Sequence, residues 1–206
     1  MIRNRQNGII RWVLHLYVHR IVNRHFHDLV SEPVEIDPNK SILLLANHFS
    51  YWDSLILYMT GRKVFQKRFH VMVREDTAGR FHFIKYGGAF SVSKRSRDML
   101  ESLNYAAALL HDPQNLVLIF PQGKLYANFA ERINFEKGVM KVISAAEGKF
   151  QLVFAATFVQ YLKQKKPTAT VYLQNEGYTG ETLAELENAY QQFFESKKAE
   201  QTAISL

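Results

Sequence analysis

Apolar positions gather into short uninterrupted runs, of which Ile42-Leu43-Leu44-Leu45-Ala46 and Leu116-Val117-Leu118-Ile119-Phe120 are the clearest. Longer stretches, in which apolar residues recur at helical spacing, separate them. The runs predict strands at about 41–46, 69–74, 89–92, 116–120, 151–159 and 169–174. The stretches between predict helices at about 51–60, 77–85, 97–111 and 136–147, with a last one near 181–197, and Gly148 is placed to stop the fourth of these. At the front of the chain the pattern predicts a helix over about 6–30, a turn at Glu32-Pro33 and a short strand before Asp37-Pro38-Asn39. Strands that are apolar at every position, alternating with helices, imply an α/β fold whose mostly parallel sheet is flanked by helices on both faces.

In the first helix Ile10, Val13, Leu14, Tyr17, Val18 and Ile21 fall on one side of a helical wheel, with Arg11, His15, His19 and Asn23 on another. Residues 1–30 also hold Arg3, Arg5, Arg11, Arg20 and Arg24 against one acid, Asp28. The pattern implies a basic amphipathic helix on an anionic membrane surface, with Trp12 and Tyr17 suited to the interface. Arg11, His15, His19 and Arg20 break the segment well short of the ~18 to 20 apolar residues that span a bilayer. No small-residue cleavage site follows it. The expectation is peripheral, monotopic attachment at the cytoplasmic face, against the simpler alternative of a surface helix packed on the domain. The expected organisation is this helix over 1–30 and one α/β domain over 31–206.

With 206 residues, 47% of them hydrophobic, the chain can bury a full core. It has no cysteine, which excludes disulfides, thiolate metal sites and a Cys nucleophile. The net charge of +7 calls for an anionic partner: a phospholipid surface, an acidic acyl carrier or nucleic acid. No nucleic-acid motif is present, so that partner is not expected. His15 and His19 form an i, i+4 pair without a third ligand, and no metal is expected. A glycine-rich dinucleotide turn, a Walker loop and a Gly-x-Ser-x-Gly elbow are all missing, and no cofactor is expected.

The candidate chemistry lies in Asn47-His48-Phe49-Ser50-Tyr51-Trp52-Asp53, directly after the first apolar run. A strand ending in His, with a carboxylate five residues on, can orient the imidazole and leave its other nitrogen free to take a proton. Ser50 and Asp53 also fit a capping box, which alone would account for the Asp. Pro121-Gln122-Gly123 follows a strand as well, and in open α/β sheets such carboxyl ends share one cleft.

Three blocks in order, Asn47-His48-x-Ser50-x-x-Asp53, Gly88-x-Phe90-x-Val92-x-Lys94 and Phe120-Pro121-x-Gly123-Lys124, resemble those of the PlsC-like glycerolipid acyltransferases, with Phe135-Glu136-Lys137-Gly138-Val139 as a further match. The resemblance spans about residues 40–160. It implies His48 as general base with Asp53 orienting it, and direct attack of an acceptor hydroxyl on an acyl thioester without a covalent intermediate. It also implies acceptor binding at Lys94, with Arg95 beside it, and around Gln122, Gly123 and Lys124. The co-substrate would be acyl-CoA or acyl-carrier protein, and the acceptor a lysophospholipid-type lipid. The third block departs from the family's Phe-Pro-Glu-Gly-Thr-Arg-Ser, having Gln122 in place of Glu and Lys124 one position before the family's Arg. That departure keeps open a non-phosphate acceptor, a lyso-aminolipid or a glycosylated isoprenoid, and the further alternative is a non-catalytic lipid-binding relative.

Overall fold

The two dominant apolar runs form neighbouring strands at the middle of a seven-stranded sheet. The computed structural model describes residues 3–4, 7–75, 82–92, 96–177 and 182–205. In chain order the elements are α1 (Gly8–His25), β1 (Asp28–Ser31), β2 (Ser41–Ala46), α2 (Asp53–Val64), β3 (Arg68–Arg74), a 3-10 segment (His82–Gly87), β4 (Ala89–Val92), α3 (Ser96–Leu109), β5 (Asn115–Ile119), α4 (Gly138–Ala145), β6 (Phe150–Gln160), β7 (Thr168–Glu176) and α5 (Leu183–Thr202). The strand order is β1-β7-β6-β2-β5-β3-β4. Every neighbouring pair is parallel except β6 with β7. The seven residues between β6 and β7 are too few for a parallel crossover, so β7 returns as a hairpin arm.

Uninterrupted apolar strands follow from a sheet covered on both faces, because successive side chains point to opposite sides. Leu43, Leu45, Val117, Ile119 and Phe154 pack with Leu103, Val139, Val142, Tyr190, Phe193 and Phe194 of α3, α4 and α5. Ile42, Leu44, Leu116, Leu118 and Val153 pack with Val18, Val22, Ile56 and Leu57 of α1 and α2 on the other face. Each such side chain stabilises the fold by about 1.5–3 kcal/mol through burial. After β2 the chain crosses to the face of α2, and after β5 to the face of α4. The crevice outside the carboxyl ends of these adjacent strands is therefore where a ligand site is expected.

Local signals fix several ends. Asn7 accepts hydrogen bonds from the N–H groups of Ile9 and Ile10 at the start of α1, and Thr182 with Glu185 forms a reciprocal capping box at the start of α5. Gly88 has φ +107°, and a Cβ there would fall on the carbonyl oxygen of Phe69, so only glycine lets β4 enter beside β3.

Three expectations are corrected. The first helix ends at His25 rather than near 30, because Phe26 turns extended and buries its ring, and residues 28–31 form edge strand β1 in parallel register with Thr168–Val171. The strand thus precedes Glu32-Pro33. Residues 77–81 of the expected helix over 77–85 lie outside the described residues, and 82–87 are 3-10. The wheel split of α1 is also different: Val18 and Val22 are buried and His15 packs 6.0 Å from the ring of Tyr58, whereas Ile9, Trp12, Val13, Leu16 and Tyr17 are exposed. One apolar stripe of α1 is used for packing on α2, and a second faces outward.

Candidate active site

The site begins where β2 ends. Asn47 is buried, and its amide bonds both backbone groups of Thr157 on β6, Nδ2 donating to the carbonyl at 3.1 Å and Oδ1 accepting from N–H at 2.9 Å. This side chain takes the place of one more ladder rung and lets the backbone leave the sheet at His48. The backbone N–H of His48 donates to Gln122 Oε1 at 2.6 Å, and its carbonyl accepts from Tyr126 N–H at 3.1 Å. Its ring lies on Phe120, centroids 4.0 Å apart and planes 15° from parallel. Backbone and ring are therefore held from the segment after β5.

Asp53, the first residue of α2, is fully buried. Its Oδ2 lies 2.8 Å from His48 Nδ1 and accepts from Phe49 N–H at 2.7 Å and Ser50 N–H at 2.8 Å. Oδ1 is buried without a hydrogen-bond partner among the described residues. An ionised carboxylate only accepts, so this contact places a proton on His48 Nδ1 and leaves Nε2 with its lone pair. The His48 side chain is 22% exposed, enough to meet a substrate at its edge. Ser50 Oγ accepts from Trp52 N–H at 3.1 Å. Ser50 and Asp53 thus close the turn that starts α2, and the same carboxylate oxygen that closes it also holds the imidazole.

Gln122 is buried with its Oε1 on His48 N–H, and it lines the cleft with Asn47, His48, Phe49, Ala127, Asn128, Ala130, Ile133 and Phe194. Gly123 has φ +66°, closes a turn through its N–H to the Phe120 carbonyl at 3.1 Å, and leaves no room for a Cβ beyond 2.9 Å from Glu136 Cγ. Lys124 is exposed, with its ammonium 5.1 Å from the centre of the Tyr126 ring. Lys94 and Arg95 lie outside the described residues. His48, Asp53 and Gln122 are therefore brought together, while Gly123 and Lys124 stand at the outer turn. Asn47, Phe120 and Tyr126 were missed as supports. Asn47 and Phe120 sat inside the quoted motifs, but nothing in a sequence says that an Asn will bridge to a strand 110 residues later or that a Phe will stack on His.

The acyltransferase family model matches residues 8–160, and the chain belongs to that family. The PlsC-like, glycerolipid resemblance of the motifs agrees with this membership, and an acyl donor and a lipid acceptor are the substrates it implies. No curated protein matches the chain. Among the described residues no helix is long and apolar enough to cross a membrane.

Proposed function

We propose that the protein transfers a fatty acyl group from acyl-CoA or acyl-carrier protein to a hydroxyl of a lysophospholipid-type acceptor, with His48 as general base and no covalent intermediate. The 2.8 Å contact between His48 Nδ1 and buried Asp53 Oδ2 carries the reading. Nε2 removes the hydroxyl proton as the oxygen attacks the thioester carbonyl. Asp53 steadies the imidazolium that forms, and the thiol leaves with the proton when the tetrahedral adduct collapses. The thioester is already activated, so the step asks for no cofactor and no enzyme nucleophile. Asn47, Phe120 and Gln122 act as positioning groups.

The outward stripe Ile9, Trp12, Val13, Leu16 and Tyr17, with the arginines of α1, supports peripheral attachment to an anionic bilayer at the cytoplasmic face. The acceptor would then be drawn from the membrane.

The non-phosphate acceptor is the second reading, since the third block lacks the family's Arg, and Lys124, one position before it, has no guanidinium fork for a phosphate and holds its ammonium over Tyr126. Gln122 no longer speaks for it, since its Oε1 is engaged by His48. The test offers purified protein acyl-CoA or acyl-carrier protein with lysophosphatidate, a lyso-aminolipid or a glycosylated isoprenoid, and identifies the product by mass spectrometry. The first reading expects acylated lysophosphatidate and an acceptor KM that rises in Lys94→Ala and Arg95→Ala, with donor saturation followed alongside. Acylation of the other acceptors alone, insensitive to those variants, favours the second. Acylation of none overturns both.

A further inference from the structure

We propose that the β6–β7 hairpin, residues 161–167, is a second contact with the anionic bilayer, which sets the cleft of His48 toward the lipid. This rests on the membrane reading of α1. The family match ends at residue 160, so the hairpin lies beyond it.

Its sequence is Tyr161-Leu162-Lys163-Gln164-Lys165-Lys166-Pro167. Tyr161 is 60% and Leu162 50% exposed, and Lys163, Lys165 and Lys166 are exposed as well. Among the described residues none of these three lysines has a carboxylate within ion-pair distance. Leu162 has φ +44°, a conformation that glycine or asparagine adopts at less cost. In the isolated molecule half of this leucine stays in water, at a backbone position that is strained for it. At a bilayer interface its side chain and the Tyr161 ring are removed from water.

Its place in the sheet gives the hairpin its role. Ala46 of β2 pairs with Ala155 of β6, and Asn47 bonds Thr157, so β6 runs past the level of the His48 motif before it turns. The four residues after Thr157, up to Tyr161, carry the chain about 13 Å beyond that level, at the end of the sheet where His48 lies. The hairpin base is tied to the end of α1 by His27 N–H on the Pro167 carbonyl at 2.8 Å, and by Asp28 in register with Thr168. In turn His25 and Phe26 lie 4.9 and 5.3 Å from the ring of Trp52, next to Asp53. Hairpin, end of α1 and catalytic turn thus share one edge. Over residues 20–28 and 161–167 five cations, Arg20, Arg24, Lys163, Lys165 and Lys166, stand against one carboxylate, Asp28. Charge complementarity with apolar side chains beside it selects an anionic phospholipid surface as the occupant.

The test measures binding of the full chain to phosphatidylcholine vesicles with and without 30 mol% phosphatidylglycerol. It compares wild type, Lys163→Gln/Lys165→Gln/Lys166→Gln, Leu162→Gly, and Trp12→Ser/Leu16→Ser in α1. A lysine near an anionic surface contributes about fivefold, so the triple variant is expected to bind anionic vesicles about a hundredfold more weakly. Leu162→Gly is expected to bind several-fold more weakly while melting no lower than wild type, because it removes the positive-φ leucine. Transfer to a detergent-dispersed acceptor should be unchanged in both. If only the α1 variant loses binding, the hairpin inference is overturned and the membrane reading stands. If wild type itself ignores anionic vesicles, both fall. If the triple variant keeps vesicle binding but loses rate with acyl-carrier protein alone, the hairpin docks that acidic protein and the bilayer assignment is overturned.

Discussion

Replacing Asp53 by Asn separates its two tasks, because the structure dictates how the amide must sit. Two backbone N–H groups, of Phe49 and Ser50, point at the position of Oδ2. An NH2 group there would face two donors, so the variant must turn its carbonyl oxygen toward them and place NH2 where Oδ1 now lies. The oxygen can still accept from His48 Nδ1, so the tautomer is kept and only the charge is lost. Opposite charges about 4 Å apart at an effective dielectric of about 20 attract by about 4 kcal/mol, all of it felt when the imidazolium forms. At 1.36 kcal/mol per decade the expected loss in kcat is about 10²- to 10³-fold. Stability should change much less. A buried, unpartnered Oδ1 is exchanged for a buried, unpartnered NH2, and the two backbone bonds become neutral while a buried charge disappears. The net change should stay within about 2 kcal/mol, or roughly 8 °C in melting temperature for a chain of this size. Thiol release with acceptor present, at a temperature where both proteins are folded, gives the rate, and a thermal melt gives the stability. An Asn variant within tenfold of wild-type kcat would refute the role of the charge and leave Asp53 a helix cap.

Gln122→Ala should lower stability by about 1–3 kcal/mol and reduce kcat more than it raises acceptor KM, since it removes the partner of the partly buried His48 N–H; denaturant titration and steady-state kinetics check this. Gly123→Ala should lower the melting temperature, through the positive φ and the approach to Glu136 Cγ, as thermal melting would report. Burial holds His70 down at about 4, with Nδ1 bonded to Asn4 Nδ2 at 2.7 Å and Nε2 to Asn115 Oδ1 at 3.2 Å. A base whose pKa is depressed in the folded state contributes stability above its unfolded value of about 6.5 and loses it as pH falls through the folded one. Wild type should therefore lose about 3 kcal/mol between pH 6.5 and 4 from this group, and His70→Gln should flatten that part of the stability curve; equal slopes would contradict it.

The fold was largely legible because β2 and β5 are apolar at every position after their first residue, Ser41 and Asn115, and only a sheet covered on both faces demands that. The end of α1 was not legible. Phe26 continues a helical pattern as well as it starts an extended one, and its partner for β1, residues 168–171, lies far along the chain. The exposed stripe of α1 escaped the wheel because the helix is apolar on two sides, and only the position of α2 decides which side is covered. In the site, the His-Asp spacing pointed to the contact that forms. The roles of Asn47, Phe120 and Gln122 arise from strands that meet only after folding, which no local pattern encodes.

The central claim is that His48 removes the acceptor proton, and the turnover of His48→Ala tests it most directly. Transfer from acyl thioester to acceptor should fall by about 10²- to 10⁴-fold, the usual contribution of a general base, with the melting temperature nearly unchanged because the ring is partly exposed. Turnover close to wild type in the folded His48→Ala protein would contradict the account.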